Sequence, residues 1–194
     1  MDEVTVVGTR SFDEKTVLGG AMDAFRRQGF AGVSIKTLEK ATGLSSGSIY
    51  NAYGDKDGLY RAAFNHYLDA VIRHRLQTYV GEDAGLDGLE QLFLSMLFSP
   101  EMDDNGCLLT NAAVEFGVGP SVASDGVNEG FVLLTDGIRR VVEREMAPSE
   151  VEIITTRLLL LYQGLLVLAR AGQDLSGCAD VIRSEFNQLR ELKS

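Results

Sequence analysis

Residues Val33–Tyr60 read V-S-I-K-T-L-E-K-A-T-G-L-S-S-G-S-I-Y-N-A-Y-G-D-K-D-G-L-Y, and this stretch decides the fold of the N-terminal part. Ser34 and Ser45 each precede a short run with apolar residues at helical spacing. A serine in that place accepts hydrogen bonds from the first N–H groups of a helix. Gly43 lies between the two runs, where its tolerance of the left-handed conformation allows a helix to end. The stretch therefore predicts a helix-turn-helix, a unit that places its second helix in the DNA major groove.

The second helix of this unit is predicted to expose small, amide and tyrosine side chains that suit a close approach to DNA. Gly47 lets the helix N-terminus come near a phosphate, which the free N–H groups and the helix dipole favour. Tyr50 and Tyr53 can donate hydrogen bonds to phosphate oxygens, and Asn51 can make two hydrogen bonds to adenine. Lys56 begins the following helix and can reach a phosphate. The predicted DNA-binding residues are Ser34, Lys36, Thr37, Ser45, Ser46, Gly47, Ser48, Tyr50, Asn51, Tyr53 and Lys56.

Residues Asp13–Leu59 resemble the N-terminal domain of the TetR family of transcriptional regulators. The matching motifs are A-F-R-R-Q-G-F at the end of the first helix and T-L-E-K-A-T-G-L-S-S-G-S-I-Y-N-A-Y-G-D-K-D-G-L-Y after it. The resemblance covers about a quarter of the chain. It implies a homodimeric repressor that binds a palindromic operator and is released by a small molecule, which acts through a long fourth helix. Ser46 and Glu39 depart from the family pattern and make the surface less positive.

The formal net charge of −10 is unevenly distributed along the chain. Residues 1–80 contain ten Lys or Arg and nine Asp or Glu, whereas residues 81–194 contain eight and nineteen. The acidic excess therefore lies away from the predicted DNA-binding residues, where it favours solubility and opposes indiscriminate binding of nucleic acid. Cys107 and Cys178 do not make a disulfide framework, and no Cys/His spacing indicates zinc. We expect no metal and no cofactor.

Helical periodicity continues through the rest of the chain, and no segment has the period of a strand. We predict an all-α protein with a three-helix helix-turn-helix domain over residues 1–56 and a helical ligand-binding and dimerisation domain over residues 57–194. The segment 57–80 reads as one long helix with Leu59, Ala63, Tyr67 and Ala70 on one stripe.

The helix that is predicted to reach Ala171 is apolar on nearly every side, so every side must be covered. One face can enter the core, and the other can join the last helix, at about residues 175–192, in a four-helix interface with a second subunit. A helix covered only by its own chain is the alternative. The longest apolar run, Leu158–Leu168, is shorter than the ~20 residues of a membrane span. Because the N-terminus has no signal peptide pattern, we expect a cytoplasmic protein without a membrane partner.

Cys107, Asn111 and Glu115 are spaced four residues apart and so share one helix face. The run G-C-L-L-T-N-A-A-V-E at 106–115 also looks like a ligand-domain signature of one subgroup of the family. Polar groups bordered by apolar side chains suit a small-molecule pocket. Hydrogen bonds between helices, with the aromatic residues in the core, explain the same pattern equally well. The predicted ligand-binding residues are Phe64, Tyr67, Phe93, Met96, Cys107, Asn111, Glu115, Phe131 and Tyr162.

Two further hypotheses concern the thiol of Cys107. A cysteine at a helix start is more reactive. One hypothesis is therefore a regulator that senses oxidants or electrophiles through Cys107, and the alternative is a simple packing role for this residue. A thiol-dependent enzyme is the hypothesis from another class. His66 and His74 have no sequence relation to Cys107, and no nucleophile, phosphate-loop or metal motif occurs. We therefore expect a regulator and no catalytic residues.

Overall fold

The computed structural model describes residues 12–98 and 105–193, and within these ranges the chain is helical and contains no strand. The predicted all-α class is confirmed. The helices are α1 Glu14–Gly32, α2 Ile35–Thr42, α3 Ser46–Tyr53, α4 Lys56–Tyr67, α5 His74–Val80, α6 Leu86–Phe98, α7 Leu108–Phe116, α8 Ser124–Glu145, α9 Val151–Arg170 and α10 Cys178–Lys193.

The helix-turn-helix forms as the serine and glycine pattern predicted. The hydroxyl of Ser34 accepts from the amide of Thr37 at 3.1 Å, and that of Ser45 accepts from the amide of Ser48 at 3.2 Å. Gly43 ends α2 with a φ of 71°. Buried apolar side chains of α1, α2 and α3 join these helices into one core.

A break at Gly29 divides α1 into two helical segments. Gly29 has φ 72° and ψ 168°, a conformation that is outside the helical region and that favours glycine. Gly29 lies in the motif A-F-R-R-Q-G-F, which by the family resemblance marks the end of the first helix. Instead, the chain makes one more helical turn, which ends at Gly32.

The long helix predicted over 57–80 contains a wide π turn at Leu68–Arg73, which separates α4 from α5. Leu59, Ala63 and Tyr67 are buried as expected, but Ala70 is exposed. The prediction for Ala70 was wrong because a π turn holds an extra residue per hydrogen-bonded ring and so changes which side chains share a face. Leu68 and Ile72 continue the buried stripe instead.

The C-terminal helices pack around α9, which is buried on one face only. Leu158, Tyr162 and Leu166 face the core, whereas Ile153 and Leu160 are each 69% exposed. In the described part of the chain, α9 alone is long and apolar enough to cross a membrane, with a mean hydropathy of 1.6. The expectation from the sequence considered only the shorter run Leu158–Leu168. It therefore did not recognise that the whole of α9 has the length and apolar composition of a membrane span.

Ion pairs connect α9 to α8 and α10. Arg157 pairs with Glu185 of α10 at 2.7 Å, and Arg139 of α8 pairs with Glu152 at 2.8 Å. Together with the buried face, these contacts identify α9 as a core helix of the C-terminal domain that presents a second apolar face outward.

Candidate DNA-binding surface and effector region

Most of the predicted DNA-binding residues lie on the exposed side of the helix-turn-helix. Ile49 of α3 is fully buried, which turns Tyr50 and Asn51 toward solvent, with Tyr50 49% exposed. Gly47 and Ser48 are exposed at the start of the same helix. This arrangement leaves hydroxyl, amide and backbone N–H groups available on one face of α3. The same surface includes three residues at or near the start of α2. Ser34 and Lys36 are exposed, and Thr37 is half-buried.

Tyr53 and Lys56 are placed differently from one another. The hydroxyl oxygen of Tyr53 is buried, and its ring lies 6.5 Å from that of Phe12. In this conformation Tyr53 therefore does not offer the phosphate contact predicted for it. Lys56 is the first residue of α4, and its ammonium lies 4.5 Å from the centre of the Phe30 ring. This cation–π contact orients a positive charge beside α3.

Glu39 has a structural role that the sequence did not reveal. Its Oε1 accepts a hydrogen bond from the amide of Ser46 at 2.6 Å. A carboxylate in this place satisfies an N–H group that the start of α3 leaves unpaired, and it interacts favourably with the helix dipole. Glu39 therefore fixes α2 against α3. The signal in the sequence was only the departure from the family pattern.

Glu115 of α7 is hydrogen-bonded directly to the backbone of α1. Its two carboxylate oxygens accept from the amides of Phe30 at 2.9 Å and Ala31 at 2.8 Å. These are the first N–H groups after the break at Gly29, so a side chain from the C-terminal part of the chain caps the last turn of α1. These hydrogen bonds match the helix-to-helix alternative for Glu115, which together with Gly29, Asn111 and Arg170 also lines an open pocket.

Asn111 and two arginines complete this junction. The Asn111 amide donates to the carbonyls of Arg26 at 3.3 Å and Asn105 at 2.8 Å. Arg26 donates to the carbonyl of Gly106 at 3.0 Å, and Arg170 of α9 donates to the carbonyl of Arg27 at 3.2 Å. Asn111, like Glu115, therefore joins the two parts of the chain. We call the contacts of Asn111, Glu115 and Arg170 to α1 the α1 junction.

An aromatic cluster underlies the α1 junction. The ring of Phe116, at the end of α7, lies 5.5 Å from that of Phe30 and 5.8 Å from that of Tyr60. Phe64, predicted as a pocket residue, lies 5.8 Å from Tyr60 in the same cluster. Because Phe30 also contacts Lys56, the cluster connects α7 to a predicted DNA contact.

A second group of predicted residues comes together inside the C-terminal domain. The Tyr67 hydroxyl donates to the sulfur of Cys107 at 3.0 Å, and the Phe93 ring lies 5.5 Å from that of Tyr162. Cys107 precedes α7 as its N-cap residue and is buried. We call Tyr67, Phe93, Cys107 and Tyr162, with Arg75, the polar core cluster. Met96 is buried in the same domain and Phe131 is partly buried.

Arg75 is the member of this cluster that the sequence analysis missed. It is 9% exposed and donates to the carbonyl of Leu92 at 3.3 Å and to the hydroxyl of Ser95 at 2.7 Å. Burial raises the pKa of Tyr162 to about 12, an effect that the nearby Arg75 opposes. Burial also raises the pKa of Tyr67 well above its usual value. Both hydroxyls are therefore protonated at neutral pH and able to donate hydrogen bonds.

Within the described residues, no group of three or more His, Cys, Asp or Glu side chains is arranged to hold a metal ion. Cys178 is partly buried and does not join the polar core cluster.

Comparison with known proteins agrees with this architecture. Residues 17–63 match the family model described as bacterial regulatory proteins of the tetR family. The repressor AcnR of Corynebacterium glutamicum is 25% identical over 172 residues, which are 86% of each protein. The repressor ComR of Escherichia coli is 28% identical over 103 residues, which are 52% of this chain and 49% of ComR. Residues 17–63 therefore form a TetR family N-terminal domain.

Solved TetR family structures extend the likeness over almost the whole chain. A cysteine mutant of the TetR family regulator CifR, in complex with operator DNA, is 26% identical with a TM-score of 0.73, covering 93% of this chain and 98% of CifR. A TetR regulator from Legionella pneumophila has a TM-score of 0.77 at 19% identity and shows the shared fold. These TetR relatives are transcriptional regulators, and none of those named here is described as an enzyme.

Proposed function

We propose that the chain is a homodimeric repressor that binds a palindromic DNA operator through α3 and is released by a small molecule. The observation that carries the DNA part is the exposed face of α3, with Tyr50 and Asn51 outward and with capping by Ser45 and Glu39. The likeness to CifR, which was solved in complex with operator DNA, supports DNA binding. Such a regulator acts on DNA in the bacterial cytoplasm.

We assign residues 1–56 to DNA binding and residues 57–194 to ligand binding and dimerisation. The polar core cluster is the proposed effector region, because it gathers a few polar groups inside an apolar domain. Cys107 precedes α7, and Glu115 and Phe116 are its last residues. An effector that moves the start of α7 therefore also moves the α1 junction, and with it the position of the helix-turn-helix. This route adds to the one through the long helix.

The homodimer is proposed from the outward face of α9. Ile153, Leu160 and Val167 are spaced seven residues apart and are all exposed. With Val181 on α10, they form an apolar surface that a second copy would cover in a four-helix interface. Two subunits are needed to place two α3 helices on the two halves of a palindrome.

Selection of bound fragments from random DNA would test the DNA-binding function and supply the operator. We expect Lys56→Ala to weaken binding to all sequences and to lower the salt slope by about one, since it removes a phosphate contact. Asn51→Ala should relax the preference at one base position instead. Fluorescence anisotropy over a range of salt concentrations measures both.

Arg183→Ala on α10 is the control, because it also removes one exposed positive charge but lies outside the predicted DNA-binding residues. A salt slope that falls equally in both variants, or in neither, would contradict the assignment of Lys56.

A further inference from the structure

Arg75 presents an unusual electrostatic situation inside the C-terminal domain. A guanidinium remains charged at every physiological pH, and burying a charge without an opposite partner is unfavourable. Arg75 is nine-tenths buried, yet its contacts are to three neutral oxygens, those of Leu92, Ser95 and Tyr162. Among the described residues, no carboxylate pairs with it, although Arg26, Arg73, Arg139, Arg157, Arg183, Arg190 and Lys193 all have acidic partners.

The hydrogen bonds that Arg75 makes are not needed to hold the neighbouring helices together. Ser95 itself donates to the carbonyl of Leu92 at 2.7 Å. Both oxygens would therefore keep a hydrogen bond if the guanidinium were replaced by an apolar side chain of similar length. The burial of a charge at this point is better explained by something that the charge binds.

The groups around Arg75 favour a negatively charged ligand. The Tyr162 hydroxyl can accept from the guanidinium and still donate its own proton, whereas the Tyr67 hydroxyl gives its proton to the sulfur of Cys107. The neighbouring side chains are otherwise apolar, including Leu92 and Phe93. Convergent donors with one positive charge, set among apolar side chains, match a ligand with a single carboxylate and an apolar body.

We propose that the effector is an organic monocarboxylate with an apolar body, and that its carboxylate is bound by Arg75 and Tyr162. This inference rests on the proposed effector-responsive function. Binding would supply the negative charge that the described residues do not provide. It would also draw α5 and α9 toward a common ligand next to Cys107, the residue at which α7 begins.

The test uses defined probes and the full chain. Benzoate and the straight-chain carboxylates from butanoate to decanoate are compared with the neutral primary amide of each. Thermal unfolding and calorimetry measure binding, and anisotropy of selected operator DNA measures release. At least one carboxylate should raise the melting temperature and release DNA, while its amide does neither. Arg75→Met should lower the affinity for that carboxylate by roughly tenfold to a hundredfold, the range expected for hydrogen bonds to a charged group.

A second measurement does not depend on the probe. Without ligand, Arg75→Met should melt about 2–4 °C higher than the unsubstituted protein, because it removes an uncompensated buried charge. Arg73→Gln is the matched control. Arg73 is the last residue of the π turn, two positions before Arg75, but it is exposed and paired with Asp69 and Glu129. It should change neither the melting temperature nor carboxylate binding appreciably.

Three outcomes would overturn the proposal: a lower melting temperature for Arg75→Met, equal binding of carboxylates and amides, or no response to any carboxylate. In each case operator binding by the unsubstituted protein still reports on the proposed function. If the unsubstituted protein bound no operator DNA, that result would instead contradict the proposed function.

Discussion

At the scale of single residues, two carboxylates cap helical N–H groups, a role that the sequence did not reveal. Glu39 caps the start of α3, and Glu115 caps the segment that follows the break in α1. Sequence spacing correctly placed Glu115 on one helix face with Asn111. It could not decide what that face contacts, because the partners are backbone groups about 85 residues away in the chain.

Glu115→Gln should weaken the α1 junction. A glutamine offers one acceptor oxygen and no charge, so one of the two amides loses its partner. Because the site is partly open to water, we expect a loss of about 1 kcal/mol in the free energy of unfolding. Hydrogen exchange followed by NMR should show faster exchange at Phe30 and Ala31. Glu129→Gln, which alters an exposed ion pair elsewhere, is the control. Unchanged exchange at both amides would refute the capping role.

At the scale of elements, the sequence predicted the helices well where local signals set their ends. Ser34, Gly43 and Ser45 fix the bounds of α2 and α3 through contacts within a few residues. The π turn at Leu68–Arg73 and the extra turn after Gly29 escaped prediction, because both depend on packing against distant helices. The outward position of Ala70 follows from the first of these.

Gly29→Ala should destabilise the fold, because its backbone conformation disfavours any side chain. An added Cβ would also lie 3.0 Å from a carboxylate oxygen of Glu115. We expect a loss of about 1–2 kcal/mol, measured by urea unfolding. Gly32→Ala is the matched control in the same helix, since its φ is not positive and the nearest atom to a Cβ would be 3.7 Å away. Equal stability of the two variants would contradict the reading of Gly29.

At the scale of the whole molecule, the division of charge and the apolar periodicity indicated two functional parts and a further subunit. The sequence located the polar core cluster in outline, through Tyr67, Cys107 and Tyr162. It missed Arg75, because a lone arginine in an amphipathic helix looks like an exposed residue until the packing of α5, α6 and α9 is known. Prediction from the sequence was therefore strongest for the DNA-binding part and weakest for the effector region.

Leu160→Asp should convert the proposed dimer into monomers, because it places a charge in the centre of the outward face of α9. Sedimentation velocity at micromolar concentration measures the change, and operator affinity should fall with it, since a palindrome needs both subunits. Val132→Asp on α8 is the control, because Val132 is also apolar and 58% exposed but lies off that face. A monomeric unsubstituted protein would refute the dimer directly.

The α7 helix is short, and both of its ends are engaged. Nine residues at 1.5 Å each span about 13 Å, from the cysteine that accepts the Tyr67 hydrogen bond to the carboxylate that caps the last turn of α1. A helix of this length bends little, so a displacement at one end is passed to the other as a movement of a rigid rod. In the proposed mechanism, a ligand that shifts the start of α7 would therefore also displace the carboxylate that caps α1, and with it the helix-turn-helix.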